Sequence, residues 1–229
     1  PLGYTSNTNG KIIVSRAYFR TWDPPAAGDD NPWPGESGTP HGVHTASIAA
    51  GDIVTATYFN LEFPNMSGVA PKAYVMSYRV FYWSVNGIES FYNAEGIAAL
   101  EDIVADGAEV LNNSWGGGPS SAGGVYDALD TALRNAVAAG VFVSMSAGNA
   151  GPGYGTGDHP SDPYINVAAV QSGGAISTGT MNVLEPDPDL LDIPFALAGF
   201  GAPPAIGTIV TYTYKAAQNV DPVNVEGCD

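Results

Sequence analysis

Apolar positions along the chain fall into short β-type runs that alternate with stretches spaced for helices. Residues 11–19 (KIIVSRAYF) are rich in β-formers and read as a strand. Residues 41–51 (HGVHTASIAAG) carry small and apolar residues in a helix-compatible pattern, with Gly51 as the stop. Residues 73–81 predict a second strand. Ile97, Leu100 and the pair Ile103/Val104 repeat at helical spacing as far as Gly107. Val125, Leu129, Leu133 and Val137 do the same as far as Gly140. Residues 109–113, 141–145 and 164–170 read as the strands around these helices. Such alternation permits βαβ crossovers and predicts an α/β fold, a largely parallel sheet flanked by helices. Helical periodicity ends after about Gly174. Residues 186–194 (PDPDLLDIP) read as a loop and residues 208–214 (TIVTYTY) as an alternating strand. A second, β-rich module is expected to begin near Ala205, dividing the chain into 1–204 and 205–229.

Between the first strand and the first helix, residues 21–40 are crowded with Pro, Gly and acidic side chains and predict a surface loop. The whole chain holds 29 Gly and 18 Pro in 229 residues, but with 45 % hydrophobic residues these indicate tight turns rather than disorder. Seven Lys and Arg face 23 Asp and Glu, a formal net charge of −16. A phosphate-binding surface needs cations, so nucleic acid is excluded as a partner. Self-repulsion of that charge fits a monomer. No apolar run is long enough to span a bilayer. One cysteine, Cys228, excludes an internal disulfide framework and a cysteine-based zinc site. Residues 1–10 read as a loop entered midway, and residues 225–229 stop without a cap, so both ends are expected to be cuts in a longer protein.

Three segments fall at strand ends or at a nearby helix start, where open α/β sheets bind ligands. They are residues 38–44 (GTPHGVH), 113–118 (NSWGGG) and 146–152 (SAGNAGP). A histidine opening a helix, here His41, can aim an imidazole of ordinary pKa near ~6.5 into a cleft and shuttle protons. A Ser-Trp-Gly-Gly turn after a strand leaves backbone donors and acceptors at a sheet edge, where an extended peptide could add as another strand. Asn149 follows a strand and a turn of small residues, and its amide can donate to a developing oxyanion.

At these residues the chain resembles the subtilisin-like serine peptidases. HGVHTASIAAG is similar to their histidine motif. Residues 68–71 (GVAP) resemble the family's turn before a strand, residues 106–116 (DGAEVLNNSWG) its DGADVINMSWG segment, and SAGNAGP its oxyanion motif. The four occur in the family's order. The resemblance implies that His41 is the general base and Asn149 the oxyanion donor. It also implies that Ser114, Trp115, Gly116 and Gly117, with Ser146, Ala147 and Gly148, bind substrate. It further implies hydrolysis of polypeptides by a Ser-His-Asp mechanism, no required cofactor, and an extracellular or cell-surface location. The family's GTSMA serine and DTG aspartate have no match, so they are expected beyond Asp229 and before Pro1. Val43 replaces the usual Thr. Residues 215–229 resemble the opening of a protease-associated domain.

Blander readings apply elsewhere. His44 is expected to pack or hydrogen-bond structurally, and His159 to be a loop residue. Asp29 and Asp30 sit in a Pro/Gly loop rather than at the end of a buried strand, so neither is taken as the triad acid. Ser37, in Gly-Glu-Ser-Gly, lacks the strand that precedes a nucleophile elbow. The acidic stretch 187–192 could bind calcium, but a solvated loop is the commoner explanation, and no metal site is assigned. Asn65-Met66-Ser67 matches a glycosylation acceptor, a pattern frequent by chance. Two other functions remain: a catalytically inactive homologue acting as a binding or scaffold protein, and an unrelated α/β hydrolase, which would need an elbow that is not seen.

Overall fold

The computed structural model describes residues 2–33, 40–58, 61–118, 126–159, 163–170, 179–184, 188–189, 191–195 and 211. In chain order the elements are β1 (Leu2–Gly3), β2 (Ile12–Ala17), α1 (His41–Ala50), β3 (Val54–Tyr58), β4 (Leu61–Met66), β5 (Val75–Arg79), β6 (Tyr82–Trp83), β7 (Glu89–Ser90), α2 (Asn93–Ala105), β8 (Val110–Asn113), α3 (Ala128–Ala138), β9 (Phe142–Ser146), β10 (Ile165–Val167), β11 (Gly179–Met181) and β12 (Ile193–Phe195). The chain divides into two compact units, Pro1–Val170 and Gln171–Asp229.

In the first unit two three-stranded sheets, ordered β1–β2–β5 and β10–β9–β8, are parallel throughout. Each has helical connections of the predicted kind: α1 lies between β2 and β5, and α3 between β8 and β9. The fold is therefore α/β with parallel strands and helices, as the periodicity predicts. The parallel strands form two hydrogen-bonded ladders among the described residues, where the sequence suggested one sheet. The added elements are antiparallel hairpins, β3 with β4 and β6 with β7. Pro64 hides β4 from a sequence reading, because proline is tolerated only where a ladder bond is dispensable, as in a two-stranded ribbon.

The core lies beneath β9. Val143 and Met145 alternate inward and meet Leu100 and Ile103 of α2, Leu129, Leu133 and Ala136 of α3, and Val141 and Tyr164. Leu133 and Met145 have no exposure at all. Full burial of one such side chain contributes about 1.5–3 kcal/mol. Asp127 caps α3 by accepting from the Asp130 backbone N–H at 2.9 Å.

Of the expected surface loop 21–40, residues 34–39 lie outside the described residues; residues 21–33 form a loop, but it carries buried charge. Asp23 has no exposure and accepts from Arg20 (3.2 Å) and Asn86 (2.7 Å). Burial raises the Asp23 carboxyl pKa, yet its bonds to Asn86 and Ser84 and the Arg20 charge outweigh it and hold the value low. Arg20 is also stacked over Tyr82 (4.5 Å) and Tyr92 (4.8 Å). Asp29, expected at the surface, is buried; its carboxylate takes the Arg79 guanidinium and the Trp83 backbone N–H. Asp30 is exposed. Ser37 lies outside the described residues.

In the second unit β11 and β12 form an antiparallel pair, so the predicted loop 186–194 ends in a strand at Ile193. The expected strand 208–214 and the boundary near Ala205 lie outside the described residues, apart from Thr211. So does the tail 215–229. No helix among the described residues is long and apolar enough to cross a membrane.

Candidate active site

Two glycines determine how α1 joins the fold. Gly51 stops the helix as expected, but with φ −58 rather than in the left-handed conformation. A side-chain carbon on Gly68 would lie 2.3 Å from the Gly51 nitrogen, so only glycine lets the next turn approach. That turn donates three backbone N–H groups to the helix end: Gly68 to Gly51 (3.0 Å), Val69 to Ile48 (2.9 Å) and Ala70 to Ala49 (2.9 Å). Carbonyls that a helix C-terminus leaves unpaired are thereby satisfied. Lys11 then donates to the Pro71 carbonyl at 2.7 Å, tying the turn to the start of β2.

The helix begins at His41, with Pro40 at the cap position and the His44 N–H donating to the Pro40 carbonyl at 3.0 Å. His41 is exposed. So is His44, which was expected to pack or hydrogen-bond structurally and is not packed away from solvent. Val43 is 46 % exposed, and the hydroxyl of Thr45 donates to the Gly42 carbonyl at 3.2 Å.

The other two segments leave neighbouring strands. Asn113 opposes Met145 in the parallel β8–β9 pair, so residues 114–117 and 147–149 emerge at the same end of one sheet. The Ser146 hydroxyl donates to the Trp115 carbonyl (2.9 Å), and Asn113 donates to the Ser144 carbonyl (3.2 Å). Asn112 reaches the Ser114 hydroxyl at 2.9 Å. Among the described residues β8 lies at the edge of its sheet, with Ser114, Trp115, Gly116 and Gly117 following it. Ala147 bonds the Val167 carbonyl at 2.9 Å, and Gly148 turns the chain with φ 78. Asn149 follows, exposed. The structure thus brings together residues 114–117 and the turn 147–149, two of the three segments expected to form the site. It gives no hydrogen bond from the side chain of either His41 or Asn149.

One cluster was missed from sequence. His159 lies in a loop as expected but is buried, and its Nδ1 lies 2.9 Å from Oδ1 of the fully buried Asp130. The Tyr164 hydroxyl donates to the same oxygen (3.1 Å) and to the His159 carbonyl (2.8 Å). The His159 ring packs edge-on against Trp115, 5.4 Å between centroids, and Phe91 supports the other side of Trp115 at 4.9 Å. The available signal was a carboxylate, Asp130, beside Leu129 on the apolar face of a predicted helix. Ligand atoms of Asp127, Asp130 and His159 lie within 4.8 Å of one another. Those atoms already cap α3 and hold His159 and Tyr164, so they serve the fold. Residues 187 and 190 of the acidic stretch 187–192 considered for calcium lie outside the described residues.

Comparisons with known proteins agree with the motif order. The profile described as "Subtilase family" matches residues 6–191. The chain is 38 % identical over 118 residues to Subtilisin-like protease SBT2.2 of Arabidopsis thaliana, covering 50 % of this chain and 13 % of that protein. With Subtilisin-like protease SBT1.4 of the same plant it shares 31 % identity over 170 residues, covering 72 % of this chain and 21 % of the relative. Among solved structures, Sphericase is similar at 30 % identity with a TM-score of 0.38, covering 48 % of this chain and 36 % of that one. The chain spans only 13 % and 21 % of the lengths of these two plant relatives. With a family profile matched across most of its length and four family motifs in order, the chain belongs to the subtilase family.

Proposed function

We propose that the chain is part of a serine-type endopeptidase that cleaves polypeptides outside the cell or at its surface, without a cofactor and as a monomer. The observation that carries this reading is the parallel β8–β9 pair, which delivers residues 114–117 and the turn ending in Asn149 to one sheet end. In the reading, an extended substrate pairs along Ser114, Trp115, Gly116 and Gly117, with Ser146, Ala147 and Gly148 facing it. His41 takes the proton of a nucleophilic serine and returns it to the leaving amine. Asn149 donates to the oxyanion. The reading requires that the serine and the aspartate orienting the imidazole come from outside these 229 residues, since neither a GTSMA nor a DTG motif occurs within them. It also takes residues 205–229 as the start of a protease-associated domain.

The missing motifs favour one second reading, a subtilase homologue that binds peptides without cleaving them. Labelling with a serine-directed fluorophosphonate decides. The full-length protein is expected to label, and His41→Ala to lower kcat by about 10⁶-fold, the size measured when a subtilisin loses its histidine. Asn149→Ala is expected to slow turnover by roughly 10²–10³, again a figure measured on a subtilisin. Residues 1–229 alone are expected not to label. Peptide binding by a full-length protein that never labels would establish the second reading instead.

A further inference from the structure

The backbone is strained at His159. Its φ is 42, in the left-handed region that glycine or asparagine fills at least cost. Strain of this kind persists where the surroundings over-determine a residue, and it clusters at functional sites. Two other elements hold this residue. Asp130 Oδ1 on α3 lies 2.9 Å from His159 Nδ1; a carboxylate oxygen accepts, so Nδ1–H donates and fixes the plane of the ring. The Tyr164 hydroxyl, just before β10, reaches the His159 carbonyl at 2.8 Å and the same Asp130 oxygen at 3.1 Å. The ring so fixed meets the substrate segment. Trp115 packs edge-to-face on the imidazole, 5.4 Å between centroids at 76°, and edge-to-face on Phe91, 4.9 Å at 84°. Such contacts depend on ring orientation, so the indole takes its orientation from these two rings. The Trp115 backbone is tied separately, by the Ser146 hydroxyl on its carbonyl.

We propose that His159, oriented by Asp130, is a positioning residue for peptide binding: its ring fixes Trp115, and with it the segment 114–117 along which an extended substrate pairs. This rests on the peptidase reading of that segment. Ordering a free indole at each binding event lowers affinity, and an indole already clamped between two rings avoids that loss. His159 acts only through Trp115, so it governs how tightly a long substrate binds and not the acyl transfer at His41 and Asn149. Filling space does not account for the residue. An apolar side chain would fill the same room without a buried carboxylate to match, and asparagine would relieve the backbone strain. The strained backbone and the buried Asp130 together place an aromatic ring that also donates a hydrogen bond.

The test uses the full-length protein with two substrates, an extended peptide and a single-residue ester too short to lie along residues 114–117. Rates are taken per fluorophosphonate-labelled site. His159→Asn isolates the ring: asparagine tolerates the left-handed φ, and its side-chain N–H stands as many bonds from Cβ as Nδ1 does, so it still donates to Asp130. This variant is expected to label and to raise KM for the peptide by roughly 2–10-fold, the range of one ring pair. Its kcat and its ester kinetics should match the wild type, the signature of lost uniform binding. In a Trp115→Ala background His159→Asn should add nothing further. Asp130→Ala, which keeps the ring and removes what orients it, should raise the peptide KM likewise, and Asp130→Asn, whose carbonyl still accepts from Nδ1, should restore it. An unchanged peptide KM in His159→Asn, an equal rise for the ester, or a full further loss in the Trp115→Ala background overturns this inference alone. If His159→Asn fails to fold, Asp130→Ala decides by the same comparison of peptide with ester. Absence of labelling in the wild type overturns the peptidase reading and this inference with it.

Discussion

The two halves of the candidate site are supported in opposite ways. Residues 114–117 and 147–149 leave strands that pair with each other, and β9 buries Val143 and Met145 against α2 and α3. His41 opens a helix in which only Ala50 is buried, and the backbone bonds from residues 68–70 hold the other end of that helix. The anchoring carbonyls of Ile48, Ala49 and Gly51 lie two to three helical turns from His41, roughly 10–15 Å along the axis. Ile48 and Val43 on this helix are 55 % and 46 % exposed. The side that carries Asn149 is thus positioned by a hydrophobic core made from nearby sequence. The histidine side is positioned by backbone hydrogen bonds and close glycine contacts. Identical recognisability as motifs therefore conceals very different local stability.

The sharpest way to break this contrast is to remove one apolar side chain from each half. Leu133→Ala leaves a cavity in a site with no exposure and should destabilise by about 2–5 kcal/mol. Ile48→Ala should change stability by no more than about 0.5 kcal/mol, because its side chain already meets water. Urea denaturation of both variants measures the difference. Comparable losses would mean that α1 is packed as firmly as α3. Native-state hydrogen exchange should agree, with α1 amides exchanging faster than those of β9 and α3.

A smaller effect separates two glycines of the oxyanion half that sequence alone treats alike. Gly148 and Gly107 both have positive φ, 78 and 81. At Gly107 an added methyl meets nothing within 4 Å, whereas at Gly148 it meets the Asp158 carboxylate. Gly107→Ala should therefore cost only the backbone strain, about 1 kcal/mol. Gly148→Ala should add a packing clash of roughly 1–3 kcal/mol and displace Asn149. Thermal denaturation of the two variants separates strain from clash, and equal shifts would refute the close approach of Asp158.

Periodicity made most of the first unit legible: β2, α1, β5, β8, α3 and β10 fall within predicted segments, while α2 begins earlier, at Asn93, and β9 runs on to Ser146. The site's motif residues were legible too, because turns with glycine and helix starts are written locally. Buried charge was not. Asp29 meets Arg79 fifty positions along the chain, and Asp130 meets His159 twenty-nine positions along. A Pro/Gly/acidic composition gives no hint that one of its carboxylates will be drawn inward by a distant guanidinium. His159 lies in a loop as expected, but its burial was not legible because its partner lies on another element. The burial of Asp158 against Gly116 and Gly148 was not legible either, since it depends on two distant turns meeting.

The smallest effect concerns the link between the two halves. Arg16 on β2 grips Asp106, at the end of α2, through two bonds of 2.8 Å, and the Tyr78 hydroxyl of β5 adds a third at 2.9 Å. Tyr18 reaches Asp102 at 2.7 Å. The β1–β2–β5 sheet is therefore joined to the core helices through carboxylates. Chiefly through the Arg16 bonds, with burial opposing and Tyr78 assisting, the Asp106 carboxyl is held below its ordinary value of 3.8. A folded pKa below the unfolded one means the unfolded chain binds protons more readily. The stabilisation is complete above the unfolded value and disappears as pH falls through the folded one. Stability from this link should be flat from pH 7 to about 5 and should decline below about 4. Asp23 is also held low and titrates in the same region, so the absolute curve is not diagnostic. The useful quantity is the gap between the protein and Asp106→Asn. Denaturation midpoints should lie apart at pH 7 and converge on acidification as the native carboxylate takes up its proton. A gap that stays constant down to the lowest accessible pH would show that the Arg16 bonds do not depend on the Asp106 charge, and that the two halves are joined by packing alone.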